Sequence, residues 1–169
     1  MNYTRHDLIQ VEATMNQMRN SIYHLVRFMN INGVINISNR LRRMGKNMGK
    51  TIFNYWKPIE LVTLSNLKDV ISTIYQKILS SSVITEIDDD QQKVITSDYK
   101  CALCKYKYED ANISGCEIII GMVSEIINQI GKASNNSSSV FLEPLNVDES
   151  RALGHEICKL QYQYKIGGG

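Results

Sequence analysis

All four cysteines of the chain fall between positions 101 and 158. Cys101 and Cys104 form a C-x2-C pair, Cys116 opens an apolar run, and Cys158 ends the segment Gly154-His155-Glu156-Ile157-Cys158. Zinc takes thiolate and imidazole ligands in tetrahedral sets, and a C-x2-C pair delivers two thiolates from one turn. In the first reading Cys101, Cys104, Cys116 and Cys158 hold one zinc ion, with His155 as a substitute ligand. Four thiolates would close the shell, so the site would be structural. In the second reading the cysteines are small apolar residues of a core, a common fate for this residue type. A redox dithiol is a third reading, but nothing here resembles the βαβ setting of thioredoxin-like motifs.

Other chemistry is thin. The sequence has no G-x-S-x-G, no HExxH, no phosphate loop and no dinucleotide fingerprint. Of the histidines His6, His24 and His155, only His155 neighbours other reactive side chains. A Cys158–His155 nucleophile pair would sit on one short strand entry with no third group to orient it. Asp88, Asp89 and Asp90 are consecutive and point in different directions, and no Gly and Glu follow at calcium-loop spacing, so they read as a solvated turn. The expectation is a protein that is not an enzyme.

The elements that position these residues can be read from periodicity. Leu8, Val11, Met15, Met18, Ile22, Leu25 and Met29 recur at alternating spacings of 3 and 4, one stripe of a long first helix. That stripe suits packing on the chain's own core or on a second subunit. A second helix begins near Ser38 or Asn39 and ends before Pro58, with Leu41, Met44, Met48, Ile52 and Tyr55 on one face. Gly45 and Gly49 lie one turn apart on this helix. Two such glycines cost about 1 kcal/mol each relative to alanine, and their use is close approach by another backbone. The helix also displays Arg40, Arg42, Arg43, Lys46 and Lys50, either a solvated face or a surface for an acidic partner or anionic lipid. A third helix runs from Ser65 to Leu79. Val83, Thr85 and Ile87 then alternate with polar neighbours, Asp88–Gln92 turns, and a strand restarts at Lys93 and runs toward Leu103. A fourth, very apolar helix spans Asn112 to Ile130, with Gly131 as its C-cap. Strands follow at Val140–Glu143 and Ile157–Ile166.

Three helices, two strands, one helix and two strands predict an α+β fold, an antiparallel sheet with helices packed on it. At 169 residues the chain suits one domain, residues 1–166, with 167–169 a glycine tail set apart from the fold. An apolar fraction of 43% and a charged fraction of 21% are those of a globular protein. A net charge of +2 is too small for bulk nucleic-acid binding. No charge-free apolar run approaches the roughly 18 residues of a membrane span, and the first residues lack a signal-peptide core. The expectation is a cytoplasmic protein with reduced cysteines.

Particular stretches resemble a known superfamily. Leu41-Arg42-Arg43-Met44-Gly45-Lys46-Asn47-Met48-Gly49 resembles the L-x-x-M-G-x-N-x-G helix of Bet-three-type subunits of the TRAPP tethering complex. Lys68-Asp69-Val70-Ile71 is similar to the next helix of those subunits. The C-terminal half resembles the related 4-vinyl reductase domain: Cys116-x4-Gly121 looks like the start of its glycine helix, and Arg151–Cys158 like its terminal segment. The similarity covers most of residues 5–166.

The resemblance implies a dimerising α+β fold with an apolar channel beside the sheet, here lined from the fourth helix by Ile119, Ile120, Val123 and Ile127. In Bet-three-type proteins such a channel takes a fatty acyl chain, and the subunit helps build a complex that activates small GTPases. In 4-vinyl reductase sensor domains it takes a small aromatic beside zinc. The implied partners are therefore a second copy or a related subunit, a small GTPase and a membrane touched from outside. The chain departs from both patterns. Cys116 and Cys158 match zinc-ligand positions, but Val147 stands where a glutamate is expected and Ser150 where a cysteine is expected. Glu149 is close enough in sequence to be a shifted ligand, and Cys101 and Cys104 could supply the missing thiolates. No cysteine lies at 57–66, where Bet-three-type proteins carry the acylated one, which leaves non-covalent occupancy of the channel.

Overall fold

The computed structural model describes residues 4–56, 61–134 and 136–167. Helix α1, Arg5–Ile31, opens on a capping box: the Thr4 hydroxyl accepts from the Asp7 amide at 3.2 Å, and the Asp7 carboxylate accepts from the Thr4 amide at 2.9 Å. Its buried residues are Arg19, Ile22, Tyr23, Val26 and Met29. Leu8, Val11, Met18 and Leu25 of the expected stripe are exposed instead. The inward face is rotated because α1 docks through specific polar and aromatic contacts on the irregular segment 99–115. Tyr23 stacks on Tyr108 with ring centroids 3.8 Å apart, Arg27 makes a bidentate pair with Asp110, and Asn30 donates to Asn112.

Helix α2, Ile37–Tyr55, begins a residue or two earlier than Ser38 or Asn39 suggest. Asn36 precedes it with φ 57°, a left-handed conformation that asparagine tolerates better than most residues. Pro58, the expected terminator, lies outside the described residues. Helix α3, Leu67–Ile74, starts after Asn66 rather than after Ser65, and its last turn widens into a π-helical turn at Tyr75–Leu79. Asn66 holds the preceding loop, accepting from the Thr63 amide and donating to the Leu61 carbonyl, each at 2.8 Å.

Strands β1 (Val83–Asp88), β2 (Lys93–Asp98), β3 (Val140–Glu149) and β4 (Cys158–Ile166) form one sheet of order β1-β2-β4-β3, antiparallel throughout. β2 stops at Asp98 rather than running on to Leu103. The Asp98 carboxylate accepts from the Ser81 hydroxyl and from the Lys100 amide, which turns the chain off the sheet. β3 passes the expected end at Glu143 and continues through Pro144. It is an edge strand, and register shifts after Pro144 and Val147 absorb the residues that cannot pair.

Helix α4, Cys116–Ser134, starts four residues later than the apolar pattern suggests and does not end at Gly131. Gly131 serves packing: a Cβ there would lie 3.0 Å from the Phe141 ring. α4 covers β3 and β4, α3 lies against β1, and α2 lies on α4. The inward residues Val94, Thr96, Leu142, Leu160, Tyr162 and Tyr164 are buried. The arrangement is the α+β fold with helices on an antiparallel sheet that the order of elements implies. Between α2 and α4 the contact is backbone to backbone. A Cβ at Gly45 would overlap the Ile118 carbonyl oxygen, one at Gly49 would lie 2.7 Å from the Met122 carbonyl oxygen, and one at Gly121 would overlap the Arg42 carbonyl. Arg42 crosses this seam to Glu117 at 2.5 Å. No helix among the described residues is long and apolar enough to cross a membrane.

Candidate functional site

The sulfurs of Cys101, Cys104, Cys116 and Cys158 lie within 4.8 Å of one another, and all four residues are buried. They arrive from three pieces of local structure. Cys101 and Cys104 flank a turn closed by the Cys104 amide on the Cys101 carbonyl at 3.2 Å. Cys116 is the first residue of α4 and Cys158 the first of β4. Cys116 Sγ is 3.7 Å from Cys101 Sγ and 3.2 Å from Cys104 Sγ, and none of the four is in a disulfide. A tetrahedral zinc–thiolate site with bonds of about 2.3 Å has sulfur–sulfur edges of about 3.8 Å. The cluster is close to that size, and the donor set is the one zinc prefers.

Two serines and a tyrosine surround the sulfurs. The hydroxyls of Ser114 and Ser150 are 2.6 Å apart and lie 3.4 Å and 3.5 Å from Cys104 Sγ. The Tyr23 hydroxyl accepts from the Gly115 amide at 3.1 Å and faces Cys104 Sγ at 3.5 Å, which leaves its proton for the sulfur. The Arg151 amide donates to Cys158 Sγ at 3.4 Å. Charge is shared unevenly among the thiols. Hydrogen bonds from Cys101, then Cys116 and Cys158, hold Cys104 well below the usual thiol range. Cys101 and Cys116 are pushed well above it, first by their hydrogen bonding to Cys104 and to Cys101 respectively. Burial first, and then the charge on Cys104, push the Tyr23 phenol upward, so it remains a neutral donor.

His155 is exposed and its Nδ1 engages the Ser150 backbone, at 3.3 Å from the amide and 3.1 Å from the carbonyl, so it stands outside the sulfur cluster. Glu149, half-buried at the end of β3, pairs in register with Lys159 and is also outside it. Tyr23 and Ser114 carry no sequence motif. The one available signal for Tyr23 is its place beside Ile22 on a helix face that must be buried, since a buried phenol needs a partner.

Beside the cluster is an apolar cavity of about 460 Å³. Val11, Met15 and Met18 of α1, Met48 and Ile52 of α2, Ile78 and Leu79 of the π-helical turn, and Ile118, Ile119 and Met122 of α4 line it. Ala102 and Leu103, the two residues inside the C-x2-C turn, line it too, and Glu12, Arg19, Ser80 and Lys100 add polar groups to the wall. Its volume lies in the range of about 300–1,000 Å³ typical of small-ligand pockets. Of the residues assigned to a channel by resemblance, Ile119 lines this cavity, while Ile120, Val123 and Ile127 are buried elsewhere in the core. No cysteine belongs to the lining. A shallow basic cleft of about 300 Å³, bounded by Asn39, Arg42, Arg43, Lys46 and Pro144, lies along α2.

No family model matches this sequence, and no curated protein matches it. Among solved structures, the crystal structure of trafficking protein particle complex subunit 3 from Naegleria fowleri, covalently bound to palmitic acid, is similar with a TM-score of 0.63. The two chains are 12% identical, and the match covers 92% of this chain and 98% of that one. This chain therefore has the fold of that subunit over nearly its whole length.

Proposed function

We propose that this protein is a non-catalytic assembly subunit of the TRAPP type, acting in the cytoplasm and holding an apolar molecule non-covalently in its cavity. The observation that carries the reading is the whole-length likeness of fold to a trafficking protein particle complex subunit whose structure holds palmitic acid. The cavity supports it, because apolar side chains from three helices converge there. Non-covalent occupancy follows from the lining, which offers no thiol for an acyl thioester. The partner is a second copy or a related chain. Phe28, Ile31 and Ile35, at or just beyond the end of α1, are 63%, 84% and 74% exposed, and Leu25 adds to the same uncovered apolar region. Apolar side chains grouped this way favour burial against a partner. A small GTPase would bind the assembled complex, and the basic side of α2 would face acidic headgroups.

The test is native mass spectrometry of the purified chain, followed by solvent extraction. A dimer carrying a long-chain acyl molecule, released intact by solvent without thioester cleavage, is the expected result. A monomer at micromolar concentration that releases nothing apolar would refute the reading. A small aromatic ligand on a chain without a partner would instead favour a sensor of the 4-vinyl reductase type. The specific observation behind that second reading is the position of Cys116 and Cys158 inside one sulfur cluster.

A further inference from the structure

We propose that Cys101, Cys104, Cys116 and Cys158 bind one zinc ion as four thiolates, and that this ion fixes one wall of the apolar cavity. Chain connectivity ties the sulfurs to the cavity. Ala102 and Leu103 are covalently held between two of the sulfurs, and both line the cavity. Ile118 and Ile119, two and three residues after Cys116, line it as well. A cation holding the sulfurs would thus clamp the loop and the first turn of α4 at one distance across the cavity. The segment 99–115 contains no helix or strand, so its position rests on side-chain contacts and isolated hydrogen bonds, such as the Tyr108 amide donating to the Ala152 carbonyl at 2.8 Å. Its clearest fixed points are the α1 contacts, among them the Arg19 Nε–H donating to the Ala102 carbonyl at 2.7 Å.

The chemistry of the pocket favours a soft dication. Four buried sulfurs, all within 4.8 Å of one another and with Cys116 at 3.2 and 3.7 Å from Cys104 and Cys101, offer an all-thiolate shell of the kind zinc takes. On binding, each protonated thiol releases its proton to solvent and forms one sulfur–metal bond, and zinc keeps its oxidation state. The surrounding donors, the Arg151 amide, the Tyr23 hydroxyl and the Ser150 hydroxyl with Ser114 behind it, face sulfur and would orient the ligands as outer partners of a metal site do. The site stands independently of the assembly role, since it needs neither a partner nor an acyl chain.

The experiment uses full-length protein purified under reducing conditions without chelator. Elemental analysis should give one zinc per chain, and cobalt exchanged into the site should show intense thiolate-to-cobalt absorption. Hydrogen exchange is then compared before and after a strong chelator removes the metal. Exchange in residues 100–104 and in the first turn of α4 should rise by about tenfold or more, as expected when a local restraint is lost. The Ile78–Leu79 wall should be unchanged. Cys104→Ser should reduce the zinc content, and Tyr106→Ala, a nearby exposed control, should not. Reduced protein that takes up no zinc under anaerobic reconstitution would overturn the site. So would full zinc content in both Cys101→Ser and Cys104→Ser. Full zinc content with no change in exchange at 100–104 on chelation would overturn the link to the cavity wall. Because metal content and exchange are read on the isolated chain, their failure is separable from a failure of the dimer or ligand test.

Discussion

Gly45→Ala places one methyl group between two helix backbones. The new Cβ would overlap the Ile118 carbonyl oxygen and lie 2.9 Å from both the Ile118 carbonyl carbon and the Met122 nitrogen. These are main-chain atoms of a buried helix, so they cannot swing aside like the tip of a side chain. Overpacking a close-packed site costs about 1–3 kcal/mol, and a rigid neighbour puts this position at the upper end. Alanine returns about 1 kcal/mol of helix propensity. The net loss is about 2 kcal/mol, which for a domain of this size lowers Tm by about 4–8 °C. Thermal and urea unfolding followed by far-ultraviolet circular dichroism would measure it, with exposed Lys50→Ala as the control, expected within about 0.5 kcal/mol of the parent. Gly121→Ala should behave alike, since its Cβ would overlap the Arg42 carbonyl from the other helix. The double variant should cost less than the two singles together, because helices already parted by one methyl accept the second more easily. A Gly45→Ala protein as stable as the parent would refute the backbone contact.

Arg42→Met removes the partner of Glu117, whose side chain is 9% exposed, from a pair at 2.5 Å. Arg42 itself is 20% exposed, so water softens the loss to about 2–3 kcal/mol, below the roughly 3–5 kcal/mol of a fully buried pair; urea unfolding that moves by less than about 0.5 kcal/mol would count against the pair. Acid should loosen α1 first. The carboxyls of Asp7, Glu12 and Asp110 are all held below the ordinary range, by Thr4, Lys105 and Arg27 respectively. A depressed folded-state pKa gives stability that is present above the unfolded value near pH 4 and is lost as pH falls through the folded value. Hydrogen exchange should therefore rise in α1 before it rises in α4 on titration below about pH 4, and equal protection of both helices would contradict this. Phe28→Glu puts a charge on the exposed end of α1, away from the cavity lining, and should shift a dimer toward monomer in sedimentation or light scattering; an unchanged dimer would exclude that face.

The architecture was legible because every buried element advertises its period. β4 alternates Leu160, Tyr162 and Tyr164 inward with Lys159, Gln161 and Gln163, and the apolar face of α4 is widened by Ile119 and Ile126, so both had to be buried. What the sequence concealed lies where polar contacts override periodicity. The stripe of α1 pointed to Leu8, Val11 and Leu25, but Tyr23 and Arg19 carry the docking surface, and a side chain's distant hydrogen-bond partner leaves no local pattern. Gly131 looked like a stop because glycine ends many helices. Only the Phe141 ring resting on it reveals a packing role, and that ring comes from another strand. Asp98 likewise ends β2 by bonding Ser81, a residue 17 positions away.

The cysteine cluster was half legible for a related reason. C-x2-C is a local geometry, and its two sulfurs are bound to meet. Cys116 and Cys158 are 42 positions apart, and only the pairing of Asp98 with Cys158 brings the start of β4 to the turn that follows β2. The 4-vinyl reductase pattern that the C-terminal half resembles is not kept at Val147 and Ser150. Ser150, standing where that pattern has a cysteine, packs its hydroxyl 3.5 Å from Cys104 Sγ. The thiol from the C-x2-C turn thus lies beside the serine at the position it would replace. Glu149, one residue before Ser150 and on the opposite side of an extended strand, is turned away from the cluster. Four sulfurs from one turn, one helix start and one strand start thus meet without a contribution from Glu149 or His155. The turn that carries two of the sulfurs also supplies Ala102 and Leu103 to the cavity wall, so a cation held there would restrain the pocket as well.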